Sequence, residues 1–313
     1  MILSASRRTD IPAFYAQWFM NRVRDGFVLV HNPMNYHQVS KISLDPDVVD
    51  CIVFWTKNAE PLLPYIDEIS KKYAFYFQYT LNAYDKDIEP VTCKLQDKIK
   101  VFQTLSKKIG KEKIIWRYDP ILITDKYSIE WHINQFKSAT EYLHSYTEQC
   151  VFSFIDLYDR TKDNLKEINI SAPTIQEMNQ IAKNFSETAH KYGLTIQTCA
   201  EAINLDEFGI KHGCCIDSQL ISQIINSPIS AKKDKNQRDV CGCVESIDIG
   251  QYNTCRHRCK YCYASFNPQS VCAFSKQHDI TSPMLVGNLE PVDKVTERKV
   301  KSLRKPYIPD LFK

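Results

Sequence analysis

The sequence predicts an α/β fold: a partial TIM-type (βα)6 barrel with an irregular cysteine-rich C-terminal segment covering the barrel mouth. Three observations predict it. Short continuous apolar runs, such as buried parallel strands carry, recur through residues 1–201. Between them lie stretches whose apolar residues recur at helical spacing, so strands and helices alternate as in βαβ units. After Glu201 the alternation stops, and nine of the twelve cysteines crowd between Cys199 and Cys272. The right-handed crossover rule leaves few other ways to wind six such units. A doubly wound open sheet is the main alternative. It would want a Gly-rich phosphate turn after its first strand, and this chain has eight glycines and no G-x-G-x-x-G.

Taken in order, Ile2 to Ser6 reads as a strand ending in Arg7-Arg8-Thr9-Asp10. Pro12 suits the first turn of the next helix, where Phe14, Trp18, Phe19 and Val23 follow at helical spacing and Gly26 ends the run. Phe27–His31 and Gln38–Ser43 read as short strands about a turn at Asn32-Pro33. Cys51–Trp55 is an apolar strand followed by Thr56-Lys57-Asn58, and a helix is expected from Pro61 to Tyr73. Phe75–Thr80 is the next strand, and a helix with Leu95, Ile99, Phe102, Leu105 and Ile109 follows it. Ile114–Tyr118 ends at Asp119-Pro120, with a helix from Ile129 to His144. Cys150–Ile155 ends at Asp156, and the capping-box pattern Thr174-Ile175-Gln176-Glu177 opens a helix that runs to Gly193. Thr195–Cys199 is the sixth strand. Residues 1–201 are therefore the expected barrel core, and 202–313 a cysteine-rich segment packed on it. Within that segment Asp217–Asn226 reads as a short helix and Lys294–Lys313 as a basic stretch wrapping the surface.

A chain of 313 residues with 43% hydrophobic content can bury a sizeable core. The net charge of +3 is too small to imply a nucleic-acid partner by itself. A secreted disulfide scaffold would be short and would follow a signal peptide, whereas only three or four apolar residues open this sequence. No run reaches the roughly 18 apolar residues of a membrane span. A reducing cytoplasm, with cysteines spent on metal and no membrane partner, is the expectation.

Cys255-Arg256-His257-Arg258-Cys259-Lys260-Tyr261-Cys262 reads C-x3-C-x2-C, with an aromatic residue before the last cysteine. Three thiolates at such short spacing can reach one inorganic centre from a single loop. A [4Fe–4S] cluster has four irons and takes thiolate ligands, so three local cysteines leave one iron open. A structural zinc loop is the rival reading, but zinc sites usually pair cysteines C-x2-4-C with a second Cys/His pair further on. His257 is expected to face solvent. Upstream, Cys199, Cys215, Cys241 and Cys243 make a full four-thiolate set for a second [4Fe–4S] cluster or a zinc ion. Cys215 is preferred to its neighbour Cys214, because adjacent cysteines do not easily face one metal.

In a TIM-like barrel, reactive residues gather where the strands end. Those ends here offer Arg7, Arg8 and Asp10, then Arg117 and Asp119, then Glu201. The spacing suggests charged pairs, Arg7 with Asp10 and Arg117 with Asp119, that serve either a polar substrate or the fold itself.

The C-x3-C-x-aromatic-C loop resembles the signature of the radical S-adenosylmethionine (SAM) superfamily. That resemblance implies a full or partial TIM-type barrel and a [4Fe–4S] cluster on Cys255, Cys259 and Cys262. It further implies SAM chelated by the open iron, with Tyr261 packed near the adenine. Over nearly its whole length the chain also resembles the domain of unknown function 1848 family. The shared stretches are Ser6-Arg7-Arg8-Thr9-Asp10-Ile11-Pro12, Trp116-Arg117-Tyr118-Asp119-Pro120, Cys199-Ala200-Glu201, and Cys241-Gly242-Cys243 through Tyr261-Cys262-Tyr263-Ala264. The chain departs from the superfamily pattern in one respect. There the cluster loop follows the first strand, and here it comes after the sixth. No Gly-Gly-Glu follows the second or third strand either.

The expected function is reductive cleavage of SAM to a 5′-deoxyadenosyl radical that acts on an unknown substrate, with flavodoxin or ferredoxin as electron donor. The alternative is a non-catalytic zinc- or iron–sulfur-stabilised protein that binds nucleic acid through Lys232, Lys233, Lys235 and Arg238. A third possibility joins them, a radical enzyme acting on nucleic acid, as a lesion lyase does.

Overall fold

Alternation of side chains along each strand decides how this chain is layered, because neighbours in a strand point to opposite faces. The computed structural model describes residues 1–157, 159–170 and 172–305. In β1 (Ile2–Ala5), Leu3 and Ala5 join the larger core and Ile2 the smaller one. The same split holds in β4 (Cys51–Thr56), where Ile52 and Phe54 face one way and Cys51 and Val53 the other. It recurs in β5 (Phe75–Thr80), β6 (Ile114–Ile121), β7 (Gln149–Phe154) and β8 (Thr195–Cys199).

Helices cover the larger core. α1 (Ile11–Phe14) and α2 (Ala16–Asp25) follow β1, α3 (Ile66–Ser70) follows β4, and α4 (Leu95–Ile109) follows β5. α5 (Ile129–Leu143) follows β6, and α6 (Asp159–Leu165) with α7 (Ile175–Lys191) follows β7. Phe19, Phe102, Phe136 and Phe185 from these helices are fully buried. Phe136 of α5 stacks on Trp116 of β6 at 5.0 Å and on Phe185 of α7 at 3.9 Å, which fixes both helices to one strand. Each such side chain contributes about 1.5–3 kcal/mol by leaving water. The expected helix from Pro61 to Tyr73 is instead a 3-10 turn, Glu60–Tyr65, running into α3. Pro64 is the reason, since it lacks the N–H that a longer α-helix needs there. The capping box at Thr174 and Glu177 forms as expected.

All strands of the main sheet are parallel. Its order places six strands in sequence, β1-β4-β5-β6-β7-β8, with two short ones added at the edges. β9 (Lys211–Gly213) pairs with β8, and β10 (Ile247–Asp248) pairs with β1 through Leu3 and Ser4. The eight-stranded ladder thus ends at β10 and β9, which do not pair with each other. The fold is α/β with a large parallel sheet, and no barrel closure occurs among the described residues. Regular strands do not stop at Glu201, contrary to expectation, because β9 and β10 arise from the segment after it.

The smaller core is filled by that segment. Ile216, Ile221 of α8 (Ser218–Ile224), Ile229, Cys243 and Val244 pack on Ile2, Val53, Tyr76, Ile115 and Val151. The sheet is therefore covered by helices on one face and by residues 200–244 on the other. A separate sheet joins β2 (Phe27–Asn32), β3 (Asn35–Ser43) and β11 (Lys294–Glu297), the last two in parallel. α9 (Pro268–Lys276) follows the cysteine loop. The wrapped basic stretch expected at 294–313 is described only to Lys305, and its remainder lies outside the described residues.

Candidate functional site

The chain leaving β10 reaches Cys255–Cys262 on the rim where β1, β4 and β5 end. Gly250, on the way, stands so close to β1 that an added Cβ would lie 2.1 Å from the Ser6 hydroxyl oxygen. Asp248 of β10 ties the same strand end, accepting from Ser4 Oγ at 2.7 Å and from the Arg7 backbone N–H at 2.8 Å. Two anchors then seat the loop. His257 is buried, correcting the expectation that it faces solvent, and its Nε2 lies 2.8 Å from Asp10 Oδ2. Asp10 also caps α1 through the Ala13 N–H and accepts from the Lys57 N–H at 2.7 Å. The Lys260 N–H donates to the Ile88 carbonyl at 3.0 Å. Between the anchors Arg258 adopts a left-handed backbone at φ +58°, which turns the chain from His257 into Cys259.

Tyr261 sits on a buried ion cluster that sequence reasoning missed. Its hydroxyl donates to Glu89 Oε1 at 2.6 Å, and its ring lies 5.5 Å from Lys57 Nζ. Glu89 is 2% exposed and also takes Lys57 Nζ at 2.7 Å and Lys98 Nζ at 3.3 Å. Burial alone would raise the Glu89 carboxyl, but the two ammonium groups hold it at about 2. Asn82 closes the cluster, donating to the Asp119 carbonyl at 2.9 Å and accepting from the Asp119 N–H at 3.0 Å.

The three loop thiols are within electrostatic reach of one another, and burial pushes each upward, Cys259 to about 12. Cys262 Sγ accepts the Ser265 N–H at 3.3 Å. Among the described residues, no group of three or more His, Cys, Asp or Glu side chains is arranged to hold a single metal ion. What the loop offers is three soft thiol donors from one turn, beside a lysine whose charge would favour thiolates.

The second cysteine set is also brought together. Cys199 Sγ lies 3.0 Å from Cys215 Sγ, and Cys215 interacts with Cys243, which interacts with Cys241. Arg117 Nη1 lies 2.9 Å from Cys215 Sγ, while its Nη2 pairs with Asp119 at 2.5 Å. The expected Arg117–Asp119 pair is therefore real. Asp119 is further held by the Ser153 hydroxyl and sits below the usual carboxylate range, since Arg117 outweighs burial.

The expected Arg7–Asp10 pair does not form. Arg7 turns to Asp234 at 3.9 Å and to the Trp55 ring at 5.4 Å, because Asp10 is already engaged by His257, Lys57 and the helix cap. Arg8 points elsewhere, lying over Tyr252 at 5.2 Å and donating to the Gly250 carbonyl at 3.4 Å. It lines a cavity of about 200 Å³ against Leu29, His31 and Tyr36, away from the ring expected to hold it. Glu201, just past β8, accepts the Phe154 N–H at 2.8 Å, and burial raises its carboxyl to about 7. Of the basic residues expected to meet nucleic acid, Lys233 donates to the Asp239 carbonyl and Arg238 pairs with Asp156.

A family model described as "Domain of unknown function (DUF1848)" matches residues 2–264. The chain belongs to this family. No curated protein matches it. Among solved structures, a "putative alpha-L-fucosidase" from Bacteroides thetaiotaomicron VPI-5482 is similar at 12% identity and a TM-score of 0.26. That match covers 54% of this chain and 76% of the other, and it is too slight to inform fold or site. No helix among the described residues is long and apolar enough to cross a membrane.

In this DUF1848 chain one missed residue did leave a signal. Lys98 falls on the apolar stripe of α4 between Leu95 and Ile99 on one side and Phe102 on the other, where a charge has no solvent. A buried lysine at such a place demands an acidic partner. Nothing local identifies Glu89 as that partner.

Proposed function

We propose that this protein is a radical SAM-type iron–sulfur enzyme whose [4Fe–4S] cluster is held by Cys255, Cys259 and Cys262. The observation that carries the reading is the seating of this three-thiol loop on the rim of a parallel sheet, where its strands end in polar groups. Singly wound strand order, with the crossover helices α1–α5 and α7 on one face, supports reading the sheet as a partial TIM-type barrel. When bound, the cluster supplies the electron for cleavage of SAM to methionine and a 5′-deoxyadenosyl radical, which abstracts hydrogen from the substrate.

The chain's own residues do the rest. Glu89, Lys57 and Lys98 lock Tyr261, and Asp10 locks His257, so the loop keeps one shape. Ser265 donates to Cys262 Sγ, a contact that favours the thiolate. Cys259 is buried, whereas Cys255 and Cys262 are half-buried and so leave the loop open on one side. Glu201, held near 7 by burial, can take or give a proton at its free oxygen at neutral pH. A flavodoxin or ferredoxin is proposed as reductant and the cytoplasm as location.

Anaerobic reconstitution with iron and sulfide, then dithionite and SAM, tests the reading. It expects 5′-deoxyadenosine from the wild type and none from Cys259→Ala. A wild type that carries its cluster yet forms no 5′-deoxyadenosine would sink the proposal.

A further inference from the structure

We infer that Cys199, Cys215, Cys241 and Cys243, which lie together without being arranged around a single ion, close on metal binding into a second, fully thiolate-ligated centre distinct from the Cys255–Cys262 loop. The four thiols come from the end of β8, the turn before α8 and the C-x-C loop, so only tertiary folding joins them. They run as a connected series: Cys199 touches Cys215 at 3.0 Å, Cys215 meets Cys243, and Cys243 meets Cys241. Their polar partners differ from those of the other loop. Arg117 Nη1 lies 2.9 Å from Cys215 Sγ, and the Ile216 N–H donates to Cys243 Sγ at 3.4 Å. Arg7 lies within electrostatic reach of Cys243 and Cys215, and its Nη2 is buried without a hydrogen-bond partner.

Both guanidinium groups have a carboxylate partner, Arg117 in Asp119 and Arg7 in Asp234, yet each leaves a nitrogen over: Arg117 Nη1 turns to Cys215 Sγ, and Arg7 Nη2 is buried with no hydrogen-bond partner. A buried donor left unmet is costly, and an anionic four-thiolate centre beside it would meet it. Gly242 adds a second constraint. A Cβ there would stand 2.6 Å from Cys214 Sγ, so Cys214 packs on the back of the C-x-C turn while Cys215 faces Cys243. An all-thiolate set selects a soft, thiophilic centre, which means iron–sulfur or zinc.

The inference does not rest on SAM chemistry and can fail or stand without it. Its test is metal and sulfide analysis of the full chain purified anaerobically. In Cys255→Ala/Cys259→Ala/Cys262→Ala protein, the second centre should remain, as about four iron with sulfide or about one zinc per chain. Adding Cys241→Ala/Cys243→Ala should remove at least nine-tenths of it, whereas adding Cys214→Ser should remove none. A metal-free triple variant, or metal that survives the C241A/C243A change, overturns the inference. A wild-type readout avoids any question of variant folding. Native alkylation should spare Cys199, Cys215, Cys241 and Cys243 until a chelator strips the metal, with the core thiols Cys51 and Cys150 still protected afterwards. Equal labelling of Cys199 and Cys241 before and after chelation also overturns it. Absence of 5′-deoxyadenosine formation, by contrast, bears only on the proposed function.

Discussion

Replacing Glu89 by glutamine should destabilise the protein more than any surface change, and the reason can be worked through. The carboxylate is 2% exposed and faces two ammonium groups, at 2.7 Å and 3.3 Å, with the Tyr261 hydroxyl at 2.6 Å. The amide can still accept from Tyr261, so the change removes charge and little else. Buried Lys98 and partly buried Lys57 then lose their nearest anion, and breaking such a buried pair costs about 3–5 kcal/mol. The titration of Glu89 offers an independent figure. Its carboxyl moves from 4.5 to about 2. At 1.36 kcal/mol per unit that is about 3 kcal/mol. The sign is that of a depressed carboxyl: the stabilisation is complete above 4.5 and is lost as pH falls toward 2. Urea unfolding at pH 7 should therefore show Glu89→Gln weaker by about 3–5 kcal/mol. Glu89→Gln/Lys98→Met should recover part of that loss, because it deletes one of the stranded cations. A Glu89→Gln protein within about 1 kcal/mol of wild type, or a double variant no better than the single, would refute the reasoning.

His132 supplies a pH test of the core. It is fully buried between the Tyr118 hydroxyl at 2.9 Å and the Leu122 carbonyl at 2.8 Å, and burial lowers it from 6.5 to about 4. Below 6.5 the unfolded chain takes up a proton that the folded one refuses, so stability should fall by about 3 kcal/mol down to pH 4. Urea midpoints across that range should lose this share of their slope in His132→Gln, and an unchanged slope counts against it. Gly250→Ala should cost about 1–3 kcal/mol in the same assay, since its Cβ would overlap Ser6 and push the β10 loop off β1. A fully stable Gly250→Ala would mean that the loop is not seated there.

The six core strands were legible because each is an apolar run long enough to read, and helices with a clear stripe followed them. β9 and β10 were not, since three and two residues carry no periodicity at all. Their identity as strands comes entirely from the edges they pair with. The thiol motifs stand out in the sequence by their spacing, and in the structure Cys199 lies 3.0 Å from Cys215. Charge partners were less legible. The proximity of Arg7 and Asp10 in sequence suggested a pair, but the strand end sends them apart, Asp10 to His257 and Arg7 to Asp234. Arg117 and Asp119 lie two apart near the C-terminal end of β6, where both side chains point the same way, and that pair does form. Glu89 lies in a loop without periodicity, so only the fold reveals what it neutralises.

The place of the cysteine loop late in the sequence is less of a departure than its numbering implies. β10 lies beside β1, parallel to it and in register at Leu3 and Ser4. A chain leaving β10 therefore arrives at the same rim, and points in the same direction, as a chain leaving β1. The residues after β1 then become free for another task, and here Asp10 takes it up by gripping His257 from below. A cysteine loop that followed β1 directly would be fixed by covalent connection alone. This one is fixed by a two-residue strand, by Asp248 on Ser4 and Ser6, by the contact of Asp10 with His257, and by the buried ion cluster at Glu89. Those contacts are what a loop borrowed from the other end of the chain requires. Weakening the one at Asp10 or the one at Glu89 should loosen the loop before it disturbs the sheet.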